Sequence, residues 1–139
     1  MGAVVDVRVR DETMTGREIE SWLLPGLPDE MTARELLRLR VREEVARFNA
    51  AGGGVFRGLV APATSGPVDW QKKVDGQKKV DGERQVDWER QADAACAAFA
   101  GNGFVMIAGA RQVEDLDEVI DLTRAAEVAF IRLVPLVGG

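Results

Sequence analysis

Histidine and tyrosine are both absent, and Cys96 is the single cysteine. Without histidine the chain lacks the commonest general base and the commonest metal ligand, and Cys96 has no imidazole to activate it as a nucleophile. An enzyme of conventional type is disfavoured, and no metal or cofactor is expected. One cysteine also excludes an internal disulfide framework and fits a reducing cytoplasm. No apolar run approaches the roughly 18 residues needed to cross a bilayer, so no membrane association is expected. Met1 to Arg10 alternates apolar and charged residues, where a secretory signal needs a continuous apolar stretch. The net charge of −5 is spread rather than clustered, which argues against nucleic acid as a partner. Asp115 and Asp117 stand in no loop of calcium-site spacing and read as a solvated turn.

What is there suffices for one modest core: 139 residues, 46% hydrophobic and 29% charged. From Val4 to Arg10, Val5, Val7 and Val9 fall on one face and Asp6, Arg8 and Arg10 on the other, the pattern of a half-buried strand. Thr13-Met14-Thr15-Gly16 supplies a turn in which glycine can take a positive φ. Arg17 to Leu24 then returns with Ile19 and Leu23 on one face, and Pro25-Gly26-Leu27-Pro28 is expected to end that strand. Thr32 and Glu35 have the spacing of a capping box, with Met31 and Leu36 in hydrophobic-staple positions. Leu37, Val41, Val45 and Phe48 continue at helical spacing as far as Ala50-Ala51-Gly52-Gly53-Gly54.

Phe56 to Val60 is a short apolar piece, read as an edge strand. Beyond it lies a repeat: residues 68–91 read VDWQKK, VDGQKK, VDGERQ, VDWERQ. A six-residue period never returns the valines to one side of a helix, and Asp75-Gly76 and Asp81-Gly82 oppose a continuous helix. Replication slippage expanding one VDWERQ accounts for the repeat, with a partner-binding array as the alternative. The final copy is expected to fold: Asp87 caps a helix in which Trp88, Ala92, Ala95 and Phe99 share a face, Cys96 lies beside it, and Gly101-Asn102-Gly103 stops it. Phe104 to Ala108 reads as a strand and Gly109 to Arg111 as a turn. Val113 to Leu122 is an irregular return offering Leu116, Val119 and Leu122 to the core, and Val128 to Val134 is the last strand. Whether Val128 and Phe130, or Ala129, Ile131 and Leu133, face inward stays open.

The order strand, turn, strand, capped helix, insertion, strand, short return, strand is that of the β-grasp fold. Thr13 to Arg17 looks like the threonine-and-glycine turn of ubiquitin. Phe104 to Leu116 is similar to its apolar strand, Ala-Gly turn and acidic step, and Phe130 to Gly139 (FIRLVPLVGG) looks like its last strand and diglycine tail. The whole chain also resembles a bacterial ubiquitin-like family carrying F-R-G-L-V, a D-W-E helix, N-G-F and L-V-P-L-V-G-G, here Phe56 to Val60, Asp87 to Glu89, Asn102 to Phe104 and Leu133 to Gly139. The hexad expansion departs from that family.

The resemblance implies an α+β fold, a ubiquitin-like β-grasp with a mixed sheet packed on one main helix. Residues 1–139 form one domain with an insertion at 55–102, containing the hexads at 68–91, and a flexible tail at 135–139. It further implies that the chain is a substrate. Gly138 and Gly139 present a carboxylate to an ATP-using activating enzyme, with Val134, Pro135, Leu136 and Val137 as the thread, because residues without side chains enter a narrow active site. A conjugating enzyme and a deconjugating protease are the further implied partners. By the same likeness Met106 is nominated as an exposed partner contact. Conjugated modifier is the first reading; a sulfur carrier, favoured by Pro135, and a β-grasp interaction module never activated are the alternatives. All four lysines, Lys72, Lys73, Lys78 and Lys79, lie in the hexads and are the expected acceptors if self-conjugates form.

Overall fold

The computed structural model describes residues 4–52, 54–55, 58–59, 73–74, 77–80 and 86–133. In chain order they form β1 (Val4–Thr13), β2 (Glu18–Pro28), β3 (Glu30–Thr32), α1 (Ala33–Ala50), β4 (Gly54–Val55), β5 (Lys73–Val74), β6 (Gln77–Val80), α2 (Trp88–Ala100), β7 (Phe104–Ala108), β8 (Arg111–Gln112), β9 (Val119–Asp121) and β10 (Glu127–Arg132). The chain is α+β, with a mixed five-stranded sheet and two helices among these residues. It divides into two compact units, residues 1–36 with 99–139, and residues 37–98, so α1 begins in the first and continues in the second.

The first unit holds the five-stranded sheet, in the order β2-β1-β10-β7-β8, and a two-stranded ladder of β3 with β9. β1 and β2 form an antiparallel hairpin, β10 runs parallel to β1, and β7 runs antiparallel to β10. The hairpin closes as its letters suggest. Gly16 sits at φ +85°, its amide donates to Thr13 O at 3.0 Å, and Thr13 N donates to Arg17 O at 2.9 Å. That φ is open to glycine at little cost and strained for other residues. Val7 and Val9 of β1, Phe104 and Met106 of β7, and Val128 and Phe130 of β10 are buried. The open choice in the last strand thus resolves to Val128 and Phe130, with the small Ala129 covered as well. That strand ends at Arg132, short of Val134.

Two expectations for this unit are overturned. β2 does not stop at Pro25 but runs through Pro28, tolerated because β2 is an edge strand whose outer side needs no amide donors. The ladder absorbs Pro25 and Gly26 as an irregularity opposite Asp6, whose Oδ1 accepts the Gly26 amide at 3.0 Å. Ile19 and Leu23 face outward, 52% and 48% exposed, and Leu24 and Leu27 are the buried residues of β2. In the return after β8, Leu116 and Leu122 are buried as expected. Val119 is 57% exposed, however, and Val113 and Ile120 are buried instead, because Ile120 is the residue that pairs with Met31 of β3.

The start of α1, in the first unit, is capped as read. Glu35 N donates to Thr32 Oγ1 at 3.1 Å, and Thr32 N donates to Glu35 Oε1 at 3.3 Å. Leu37, Val41 and Val45 are buried along α1 and Ala92 and Ala95 along α2. Asp87 caps α2, its Oδ1 accepting from Glu89 N at 3.0 Å and Arg90 N at 3.3 Å. The guanidiniums of Arg38 and Arg42 lie 5.7 and 5.4 Å from the Trp88 ring, within cation–π reach. Asn49 grips Val86 with both ends of its amide at 3.0 Å. α2 ends where expected, after Ala100, and the positive φ that follows it, 61°, is taken by Asn102 rather than by a glycine.

The hexads are not one loop. Lys73 pairs with Lys78 and Val74 with Gln77 in an antiparallel ladder, and Asp75-Gly76 lies outside the described residues. β6 also pairs with β4. Of the Phe56 to Val60 piece, Gly58 and Leu59 are described; they are not in a strand, and the rest lies outside the described residues.

Candidate functional site

The nominated thread and its diglycine, Val134, Pro135, Leu136, Val137, Gly138 and Gly139, lie outside the described residues, as does Lys72. What is described is the base from which they continue. β10 is the middle strand of five, hydrogen-bonded to β1 on one side and β7 on the other. Its last residue, Arg132, donates to Asp11 Oδ2 at 2.9 Å. On the other face of the sheet Arg10 bridges Glu127 at 2.6 Å. The tail therefore begins at a point tied on three sides: two backbone ladders and one ion pair.

Met106 is not a contact surface. It is 0% exposed and opposes the buried Phe130 across the β7–β10 ladder. Strand alternation then turns Val105 and Ile107 to the opposite face, where they are half-exposed and pair with Ile131 and Ala129. These are the residues that the reading by resemblance missed. With apolar side chains at all five positions of Phe104 to Ala108, alternation carries no signal for which two face out.

A cleft of about 460 Å³ opens beside β8 and β9, with Gly109, Arg111, Glu118, Val119, Asp121 and Arg124 among its lining. Its carboxylates are already engaged. Glu118 is ion-paired with Arg111 and accepts the Glu114 amide at 3.2 Å. Asp121 accepts the Thr123 hydroxyl and amide and pairs with Arg124 at 3.7 Å. The Thr123 hydroxyl above all, then its amide and the charge of Arg124, hold the Asp121 carboxyl below its usual value of 3.8. A carboxylate so stabilised is a poor proton acceptor. Among the described residues no three His, Cys, Asp or Glu side chains gather as a metal would need. No described helix is long and apolar enough to cross a membrane.

Against protein-family models, curated proteins and solved structures, the chain finds no match.

Proposed function

We propose that this chain is a bacterial ubiquitin-like β-grasp modifier acting in the cytoplasm. A Gly139 carboxylate oxygen attacks the α-phosphate of ATP on an activating enzyme and releases pyrophosphate. The enzyme's thiol then displaces AMP to give a thioester, and a target amine displaces that thiol to form an amide. In this reading the residues of the chain serve as the acyl group and its handle, and the catalytic groups belong to the partners.

The observation that carries the reading is the strand order β2-β1-β10-β7-β8. It has a parallel β1–β10 pair at its centre, and its central strand is followed in sequence by Leu-Val-Pro-Leu-Val-Gly-Gly. A first hairpin, a capped helix after it, and a short edge strand following Gly109 complete the β-grasp order. Residues 55–102 then form an insertion between the main helix and Phe104–Ala108. The ties at Asp11, β1 and β7 support the chemistry as well. A thread anchored at its base delivers its tip to an enzyme with less orientational freedom to lose. Pro135 keeps a sulfur carrier as the second reading, in which sulfide displaces AMP and leaves a thiocarboxylate.

The test is to recover the chain, tagged at its amino terminus, from its own cells and define the chemical state of Gly139 by mass spectrometry, whether the chain ends there or is cut there. Amide linkage to lysines of other proteins supports the modifier, and a thiocarboxylate supports the sulfur carrier. A free carboxylate in every recovered molecule overturns both. Removing Gly138-Gly139 is expected to abolish the adduct and leave the melting temperature unchanged, since two residues without side chains have little apolar area to bury.

A further inference from the structure

Where α2 ends, the first unit holds a second pocket, of about 220 Å³. It is lined by Phe99 and Ala100 from α2, by Asn102 from the turn, and by Gln112 and Glu114 from the end of β8 onward. The turn is held in place. Asn102 N donates to Phe99 O at 3.0 Å, with Asn102 at a φ of 61°. The rings of Phe99 and Phe104 meet with centroids 5.8 Å apart and planes at 57°. Phe104 is buried, whereas Phe99 is half-buried and keeps part of its surface open.

This pocket offers acceptors and no cation. Glu114 is the one charged residue of its lining. The Glu114 amide donates to Glu118 Oε2 at 3.2 Å, and Glu118 is itself neutralised by Arg111. The Glu114 carboxylate forms no ion pair among the described residues, and the side-chain amides of Asn102 and Gln112 form no hydrogen bond among them. α2 carries Glu89 in its first turn but no basic residue in its last. The negative end of its dipole therefore reaches the pocket with no positive side chain of its own to offset it.

We propose that this pocket receives the guanidinium of an arginine presented by a partner protein. The Glu114 carboxylate accepts from one side of its fork, the amide oxygens of Asn102 and Gln112 accept its remaining donors, and its flat face lies against the Phe99 ring. A planar fork of five donors matches acceptors spread in this way, whereas a lysine ammonium is a compact charge with three. Size decides between a side chain and a whole small molecule. Pockets that enclose the latter start at about 300 Å³, and this one is smaller and rimmed by exposed residues. Charge opposes a second copy as the source, since each chain carries −5. The proposal is independent of the tail and of what happens to Gly139.

The probe is arginine blocked at both ends, as the acetyl amide, titrated into the whole chain and followed by backbone amide NMR shifts. Saturable shifts are expected at Asn102, Gln112 and Glu114, with affinity falling as salt rises. Blocked citrulline, the neutral isostere, is expected to leave them unmoved, and blocked lysine to bind several-fold more weakly. Glu114→Gln keeps the shape of an exposed side chain and is expected to weaken the arginine probe roughly fivefold or more. Asn102→Gly keeps the positive φ, removes one acceptor and is expected to weaken it roughly threefold. Asp115→Asn removes the adjacent charge outside the lining and is expected to change affinity by less than about twofold. No saturable shift, equal binding of citrulline, undiminished binding by the Glu114→Gln chain, or shifts confined to other residues overturns the proposal. An equally tight lysine probe overturns the choice of arginine. Unblocked arginine binding about tenfold tighter than the blocked form would identify the free amino acid as the ligand, and shifts that grow with protein concentration alone a second copy. Either result overturns a partner protein as the source.

Discussion

Asp11 and Arg132 meet across the two central strands, a guanidinium nitrogen of Arg132 2.9 Å from Asp11 Oδ2, with Asp11 1% exposed. A carboxylate so far from water is tolerated only with a charged, hydrogen-bonding partner. The pair closes a contact between residues 121 apart in the chain and fixes the end of β10.

Removing one partner should therefore cost far more than removing both. Asp11→Ala is expected to destabilise by roughly 2–4 kcal/mol, somewhat under the figure for fully buried pairs because Arg132 reaches solvent. Asp11→Leu with Arg132→Met should recover most of that loss. Denaturant unfolding of the three variants beside Glu12→Ala provides the measurement. If Asp11→Ala costs no more than the change at Glu12, the ion pair is not what holds the strand end.

Asp121 offers a pH-dependent counterpart. Its folded pKa lies below its unfolded value, so it contributes stability that is fully present above the unfolded value near 3.8 and is lost as pH falls through the lower, folded one. Because the Thr123 hydroxyl is the largest cause, Thr123→Val should raise the Asp121 titration midpoint toward 3.8. Carboxyl NMR titration of the two chains tests this directly, and coincident curves would refute the assignment.

What could be read from letters was what depends on neighbours in sequence. The Thr32–Glu35 box, the Gly16 turn, the Asp87 cap and the bounds of Phe104–Ala108 are each decided within a few residues, and all appear as expected. Facing was harder. β2 carries irregularities on both sides of Ser21, and each resets the alternation that would set the facing of Ile19 and Leu23. Met106 was placed by likeness, whereas its side of the sheet is set by Phe130 across a ladder formed late in the chain. The Asp11–Arg132 pair left no local trace at all. As for the thread, the sequence offers its letters alone, and Val134 to Gly139 lie outside the described residues.

A six-residue period does not fit a helix. Two residues of Asp-Gly and four residues of strand also make six, β6 is four residues long, and it pairs with β5. Deleting one whole copy, Val74 to Lys79, should bring Val80-Asp81-Gly82-Glu83 into the place of Val74-Asp75-Gly76-Gln77 and leave the chain as stable as before. Deleting Val74 to Gln85 should still spare the Asp87 cap and the Asn49–Val86 grip, and small sheets of two- to four-residue strands add little by themselves. Thermal unfolding decides between this and a repeat that holds the second unit together: a large drop in melting temperature for the single-copy deletion would show the latter.

The last prediction concerns where chains would grow. Every positive side chain outside the hexads is arginine, while Lys72, Lys73, Lys78 and Lys79 are the only lysines. Lys73 lies in β5 and Lys78 and Lys79 in β6, so at least three of the four belong to a hairpin rather than a loop. A guanidinium stays protonated and is a poor acyl acceptor, whereas a lysine amine can deprotonate and attack a thioester. The five-stranded sheet unit offers no side-chain amine, and only the amino terminus competes. Isopeptide-linked self-conjugates of this modifier are therefore expected to map to these four positions. Changing all four lysines to arginine should leave conjugation to other proteins intact, because the acyl group of Gly139 is untouched, and remove the self-linked ladder on denaturing gels. Isopeptide-linked chains that persist undiminished on that variant would exclude the hexads as the acceptor site.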